Sequence, residues 1–221
     1  MIRITLPDGS MREARPGIRV RDAAVEMGFP SGESAVCASV NGQLRGARER
    51  LTEDCALAIY TANTPEGYRV LCHSAAHVAA HAVKRLFPTA VLGMGGPTTD
   101  GFYHEFDIGR LFHQAELEEI EVEMSHIVDA DLPIKRFEMS KGDARMLLIR
   151  LGEVLRLELL DKLSPPIVSL YKQGDYIDLC RGPHLSSTGG VPPVHLTRLA
   201  TSYWLDDPHA ERLNRIHGTI A

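Results

Sequence analysis

Apolar and polar residues alternate over residues 2–6, Pro7-Asp8-Gly9 is turn chemistry, and residues 10–14 return as a partner, so the chain opens on a hairpin. The period then lengthens: Val20, Ala23, Ala24 and Met27 stand at helical spacing, and the run stops at Gly28, a residue suited to the left-handed position after a helix. Residues 35–40 read as a strand that runs into Asn41-Gly42, the strongest short hairpin signal, and residues 56–60 supply a last strand. The order ββαββ predicts a ubiquitin-like β-grasp over residues 1–62.

From residue 63 the pattern predicts a second domain, of α+β class, extending to residue 221. Thr64 can cap a helix, with Pro65 at its first position and Glu66 in its first turn, and the helix is expected over residues 66–86. Gly93, Gly95, Gly96 and Pro97 cluster ahead of residues 101–106, which alternate as a strand. Residues 114–128 form an acidic amphipathic helix, with Leu117, Ile120, Met124 and Ile127 inward and Glu116, Glu118, Glu119 and Glu123 outward on a solvated face. A strand over 134–139, a capping pair at Ser140 and Asp143, and a helix over 147–163 follow. After Pro165-Pro166 the chain turns to strands, at 167–171, 176–179, 196–203 and 213–216, which suit an antiparallel sheet.

Composition changes this picture little. At 221 residues, with 44% hydrophobic and 24% charged residues, the chain can bury the cores of two modest domains. No apolar run reaches the roughly 18 residues a membrane span needs, and the first residues do not resemble a signal peptide, so the expected place is the cytoplasm, with no membrane partner. Cys37, Cys55, Cys72 and Cys180 are scattered without a CxxC pair, which predicts reduced thiols. A formal charge of −5 argues against strong non-specific binding to nucleic acid, although Arg136, Lys141, Arg145, Arg198, Arg212 and Arg215 could make a local basic patch.

The chemistry is concentrated in two short stretches. His73-Ser-Ala-Ala-His77 puts two imidazoles at i and i+4 on one face of the long helix, close enough to share a metal or a water, with His81 one turn further on. Cys180-Arg-Gly-Pro-His184 offers a thiol and a third imidazole around a turn at the end of a strand. His73, His77, Cys180 and His184 form a valid tetrahedral zinc shell, although an HxxxH pair alone is a weak signal. Glu is absent between the helical histidines, which excludes the zincin protease arrangement. Only Arg181 beside Cys180 favours a thiolate nucleophile, so a hydrolase using a positioned water remains. Asp178, two residues before Cys180, adds a carboxylate on the same face of the strand, or serves as an ordinary strand-edge acid.

Taken together, His73-Ser-Ala-Ala-His77, Asp100-Gly-Phe-Tyr103, Asp178-Leu-Cys-Arg-Gly-Pro-His184 and Ile216-His-Gly-Thr219 resemble, in order and spacing, the amino-terminal half of bacterial-type threonyl-tRNA synthetases. The first sixty residues, with Ile4-Thr-Leu-Pro-Asp-Gly-Ser10 and Val40-Asn-Gly42, resemble the small TGS domain of that family. The resemblance covers essentially the whole chain. It implies an editing domain that hydrolyses the ester between serine and the 3′-terminal ribose of mischarged tRNA(Thr). Such a second sieve is needed because a synthetic site separates threonine from serine by little more than a methyl group, worth roughly 1 to 3 kcal/mol. It also implies roles: His73, His77 and His184 in water and ribose handling, Cys180 in supporting the pocket or holding a metal, and Asp178 on the substrate amino or hydroxyl group. Arg156 stands where the family usually has lysine, keeping a charge without ready proton transfer, which points to an electrostatic role. Asp100, Tyr103, His104 and Gly96 are the remaining substrate-binding candidates.

His104 is a departure, since the family's common Gly-Phe-Tyr-Tyr reads Gly-Phe-Tyr-His here, and the glycine-rich approach reads one residue shorter between Pro97 and Gly101. The resemblance implies no required cofactor, while the His and Cys set leaves zinc open. A synthetase would continue into catalytic and anticodon-binding domains, so no aminoacylation is expected from this sequence alone, and the resemblance fits either a fragment of a longer synthetase or a free-standing editing protein derived from one. Two further readings stay open: a degenerate tRNA-binding or regulatory module, and a zinc-dependent hydrolase or lyase acting on a small metabolite.

Overall fold

The computed structural model describes residues 1–29 and 35–221. By their packing these residues fall into two units, Met1–Leu71 with Gly182–Ser186, and Cys72–Arg181 with Ser187–Ala221.

In the first unit, β1 (Ile2–Thr5) and β2 (Met11–Ala14) pair antiparallel in the register Ile2 to Ala14. Their turn is held by Asp8, whose carboxylate accepts from the Ser10 backbone at 2.9 Å and the Ser10 hydroxyl at 2.6 Å. β3 (Ile18–Arg19) leads into α1 (Val20–Glu26), which buries Val20, Ala23 and Ala24 and ends where Gly28 takes a φ of +85°. β4 (Cys37–Val40) and β5 (Gln43–Gly46) meet at Asn41 and Gly42, both at positive φ, as a two-residue hairpin of this hand requires. β6 (Arg50–Leu51) pairs with β3 in a second small sheet. β7 (Cys55–Tyr60) runs between its neighbours, parallel to β1 and antiparallel to β4, giving the order β2-β1-β7-β4-β5. Ile2, Ile4, Val20, Ala23, Leu51 and Leu57 close the core between this sheet and α1. The β-grasp is therefore the expected one, enlarged by β5 and the β3/β6 pair, which are too short to show as periodic patterns.

α2 (Pro65–Leu86) starts under the Thr64 cap, whose hydroxyl oxygen accepts from the Gly67 N–H at 3.2 Å. From Cys72 onward it is part of the second unit, where Ala75, Ala76, Ala79, Ala80 and Ala82 are buried. β8 (Val91–Pro97) and β9 (Phe102–Asp107) follow, so the glycine and proline cluster is itself a strand. Its glycines answer a packing need: a Cβ on Gly93 would stand 2.7 Å from the Glu105 Cβ, and one on Gly95 would stand 2.2 Å from the His104 ring.

α3 (Gln114–Asp129) buries Leu117, Ile120, Met124 and Ile127, the face its spacing predicts. β10 (Ile134–Ser140) enters α4 (Lys141–Leu151), whose Ser140 cap accepts from the Asp143 N–H at 3.0 Å. The single helix expected over 147–163 is two helices. Gly152, at a φ of +73°, ends α4, and the chain restarts as α5 (Val154–Lys162), placing Leu148 and Leu160 in one core. β11 (Ile167–Gln173) and β12 (Tyr176–Leu179) complete the antiparallel sheet β10-β11-β12. β13 (Val194–Tyr203) and β14 (Arg212–Ile220), both longer than their apolar patterns, complete the sheet β13-β14-β9-β8. Among the described residues no helix is long and apolar enough to cross a membrane.

Candidate active site

The helical period brings His73 and His77 together on α2, with ring centroids 5.3 Å apart and planes nearly perpendicular. Cys180, just past the end of β12, turns its sulfur to His73, with Sγ 3.4 Å from Nε2. The potential ligand atoms of His73, His77 and Cys180 lie within 4.8 Å of one another. The Cys180 carbonyl accepts from the Ser169 hydroxyl at 2.7 Å, which fixes the residue against β11. His184 is buried and lies in the Gly182–Ser186 segment of the first unit, where its carbonyl packs on Gly46.

Beside this cluster lies a buried ion pair. Arg156, on α5, donates from Nη2 to Asp178 Oδ2 at 2.8 Å. Its Nε stands 2.7 Å from Oδ1, but the N–H points off line, so that contact is electrostatic rather than a second good hydrogen bond. Only about 5% of Arg156 and 1% of Asp178 is exposed. The Tyr176 hydroxyl donates to the same carboxylate at 3.2 Å, and His77 Nε2 stands 3.6 Å from it. Burial lifts the Asp178 carboxyl above the ordinary aspartate value, against the pull of Arg156. Burial works against the guanidinium charge as well, but the adjacent Asp178 outweighs it and raises the Arg156 pKa further. Tyr176 is pushed well up by burial and by Asp178, so its hydroxyl stays a donor.

His81 supports the arrangement from one turn along α2. Gln173 Nε2 donates to the His77 carbonyl at 3.3 Å and stands 3.2 Å from His81 Nδ1. Since a carbonyl can only accept, the amide orientation is fixed, and His81 Nδ1 is the acceptor. Nε2 then carries the proton and donates to Asp175 at 2.7 Å. The ring stacks on Tyr176 with centroids 5.4 Å apart. Burial lowers the His81 pKa despite Asp175. Neither Tyr176 nor Gln173 is singled out by the sequence; Tyr176 could have been found from strand alternation, two residues before Asp178.

The remaining candidates are dispersed. His104 is buried on β9, its ring stacked on Phe106 at 4.6 Å. Tyr103 is half-buried, points to the opposite face of the strand, and carries the Arg215 guanidinium 4.8 Å above its ring. Gly96 is buried and would admit a Cβ freely, and Asp100 is exposed. The suggested basic patch is largely engaged internally: Arg145 pairs with Asp161, Lys141 caps the carbonyls of Asp161 and Leu163, Arg136 pairs with Glu138, and Arg215 with Glu105.

Residues 2–61 match the model of the TGS domain, and residues 168–217 match that of the threonyl and alanyl tRNA synthetase second additional domain. The chain carries a TGS domain and the second additional domain of threonyl and alanyl tRNA synthetases. A threonine–tRNA ligase of Symbiobacterium thermophilum is 40% identical over 220 residues, covering 99% of this chain and 34% of that protein. Threonine–tRNA ligase 2 of Bacillus subtilis is 40% identical over 218 residues, and that of Hahella chejuensis 41% over 217, each again matched over 34% of its own length. The chain thus spans about a third of the length of these relatives. Within the second-additional-domain match fall Asp178, Cys180 and His184; His73, His77 and Arg156 precede it.

Proposed function

We propose that residues 63–221 hydrolyse the ester of serine mischarged onto tRNA(Thr), in the cytoplasm, with the TGS domain of residues 1–62 as an accessory. The observation that carries this reading is the joining of His73 and His77 with Cys180, which lies in the stretch that matches a synthetase second additional domain. Hydrolysis needs a group that takes a proton from water, a charge for the developing oxyanion and anchors for the amino acid.

A neutral imidazole of His73 or His77 accepts the proton as the water oxygen bonds to the ester carbon. The carbon–oxygen bond to the ribose then breaks, and the same proton passes to the leaving oxygen. His184, four residues beyond Cys180 in the chain, is assigned to the ribose. Arg156 keeps its proton at every accessible pH and acts only as a fixed charge that positions Asp178. Asp178 is left as the anionic side of the pocket, suited to the serine ammonium.

One observation favours a second reading, in which a zinc ion takes part. Two imidazoles and a thiol within 4.8 Å are donors of the kinds and spacing zinc accepts. His73, His77 and Cys180 would hold the ion, with His184 as fourth donor by its place in the sequence, and it would supply Lewis acidity to the water.

The deciding experiment is deacylation of Ser-tRNA(Thr) beside Thr-tRNA(Thr) and Ser-tRNA(Ala), with and without chelator, together with the zinc content of the purified chain. Rapid, chelator-insensitive loss of serine from tRNA(Thr) alone is expected, and His73→Ala and His184→Ala should each slow it by at least about tenfold. Chelator-sensitive loss would favour the zinc reading. No loss from any ester would leave a tRNA-binding module in which hydrolysis has lapsed.

A further inference from the structure

Two residues past Asp178, the candidate site opens into a cavity. Its volume is about 420 Å³, within the range of small-molecule sites, and Cys180 stands in its wall. The cavity lies where β11 begins and β12 ends, between that end of the sheet and the last turn of α5. Ser169, whose hydroxyl holds the Cys180 carbonyl, lines it as well. Cys180 is thus common to the cavity and to the cluster it forms with His73 and His77. Met94, Leu159, Leu163, Ile167 and Leu179 give the cavity apolar walls, and Ile167 is 52% exposed although hydrophobic. Concave apolar surface left open beside reactive groups is the usual form of a ligand site.

Charge divides the surroundings of Cys180 into two sides. On the side of Asp178 the site is buried and offers a carboxylate, which suits an ammonium group. In the cavity cations predominate: Lys162 and Arg181 line it and are exposed, while Arg136 and Glu138, also in its wall, offset each other at 2.6 Å. Two such cations repel the serine ammonium and attract phosphate. Apolar walls beside phosphate-seeking cations are what a nucleotide meets with its base and its backbone. We propose that this cavity receives the terminal adenosine of the tRNA, with its base against Met94, Leu159, Ile167 and Leu179 and its 5′-phosphate at Lys162 and Arg181. The ester then crosses Cys180 with its acyl part toward Asp178. This inference rests on the editing reading for its substrate, and adds where the nucleoside lies and which way the ester points.

The test spoils the cavity from its exposed wall. Ile167→Glu puts a solvated carboxylate where the base would lie, at a position outside the buried core, and is compared with wild type on Ser-tRNA(Thr) and on serine ethyl ester, which has no base. KM for Ser-tRNA(Thr) should rise by about tenfold or more, the loss expected when a base can no longer bury its face, while cleavage of the ethyl ester changes by less than about twofold. An unchanged KM, or equal slowing of both esters, would overturn the inference and leave the editing reading standing.

A second measurement needs no hydrolysis. The methyl resonances of Met94 and Ile167 in the wild-type chain are followed while adenosine 5′-monophosphate, adenosine or serine amide is added. The two adenosine compounds should shift them and serine amide should not. Lys162→Ala combined with Arg181→Ala should weaken binding of the monophosphate by about fivefold and leave that of adenosine unchanged. Methyl groups that stay unmoved by the monophosphate, or that move as much with serine amide, would refute the proposal whether or not any ester is cleaved.

Discussion

The two units bury their polar groups very differently. In Met1–Leu71 with Gly182–Ser186, Thr61 and His184 are the buried polar residues among those described, and the core is aliphatic. Cys72–Arg181 with Ser187–Ala221 buries His77, His81, His104, Glu105, Glu153, Arg156, Gln173 and Asp178, among others. Buried ionic groups seldom improve on well-packed apolar ones, so the second interior has a composition that stability alone would not select. The second unit holds charge in fixed positions, at a cost in stability.

Breaking the buried ion pair should have the largest effect. Arg156→Met leaves Asp178 uncompensated and should destabilise the second unit by about 3–5 kcal/mol in denaturant unfolding, whereas Arg156→Met with Asp178→Leu should recover most of that loss. If the double variant is no more stable than the single, the pair is not what the second unit depends on. In the first unit a comparable loss should come from volume alone: Leu57→Ala, at a 1% exposed site, should cost about 3 kcal/mol, with no rescue by a second polar change.

The most gradual effect, spread over several pH units, separates the units by pH. His104 titrates near 6.5 unfolded and near 3 folded. Between those values the unfolded chain binds one proton more, so stability falls as pH falls, by roughly 1.4 kcal/mol per pH unit from this residue. That component is fully present above about pH 6.5 and is absent in His104→Phe; parallel stability–pH curves for the two proteins would contradict it.

Legibility in the sequence follows the same division. Pro7-Asp8-Gly9 and Asn41-Gly42 announce their hairpins because turn backbone is restricted to few residue types, and α3 shows its face because one side of it is solvated. β8 is hidden, because its glycines are chosen by side chains on the adjacent strand rather than by any strand preference of their own. The split at Gly152 is hidden by apolar spacing that continues across it. HxxxH and the CRGPH stretch mark the chemistry, and His73, His77 and Cys180 do converge. The pairing of Arg156 with Asp178 is not legible, since the two are 22 residues apart on separate elements and nothing in either local pattern refers to the other.

The joint between α4 and α5 has a consequence for how this domain can change over time. Glu153 follows Gly152, accepts from Lys84 of α2 at 2.8 Å through one oxygen and from the Leu92 N–H of β8 at 2.9 Å through the other. A two-residue bend between helices would ordinarily be a place where lineages gain and lose residues. Here one carboxylate rivets the bend to a helix and a strand, so an inserted residue would unfasten three elements at once. Length variation among descendants of this domain should spare residues 152–153 and collect where the backbone answers to nothing but itself.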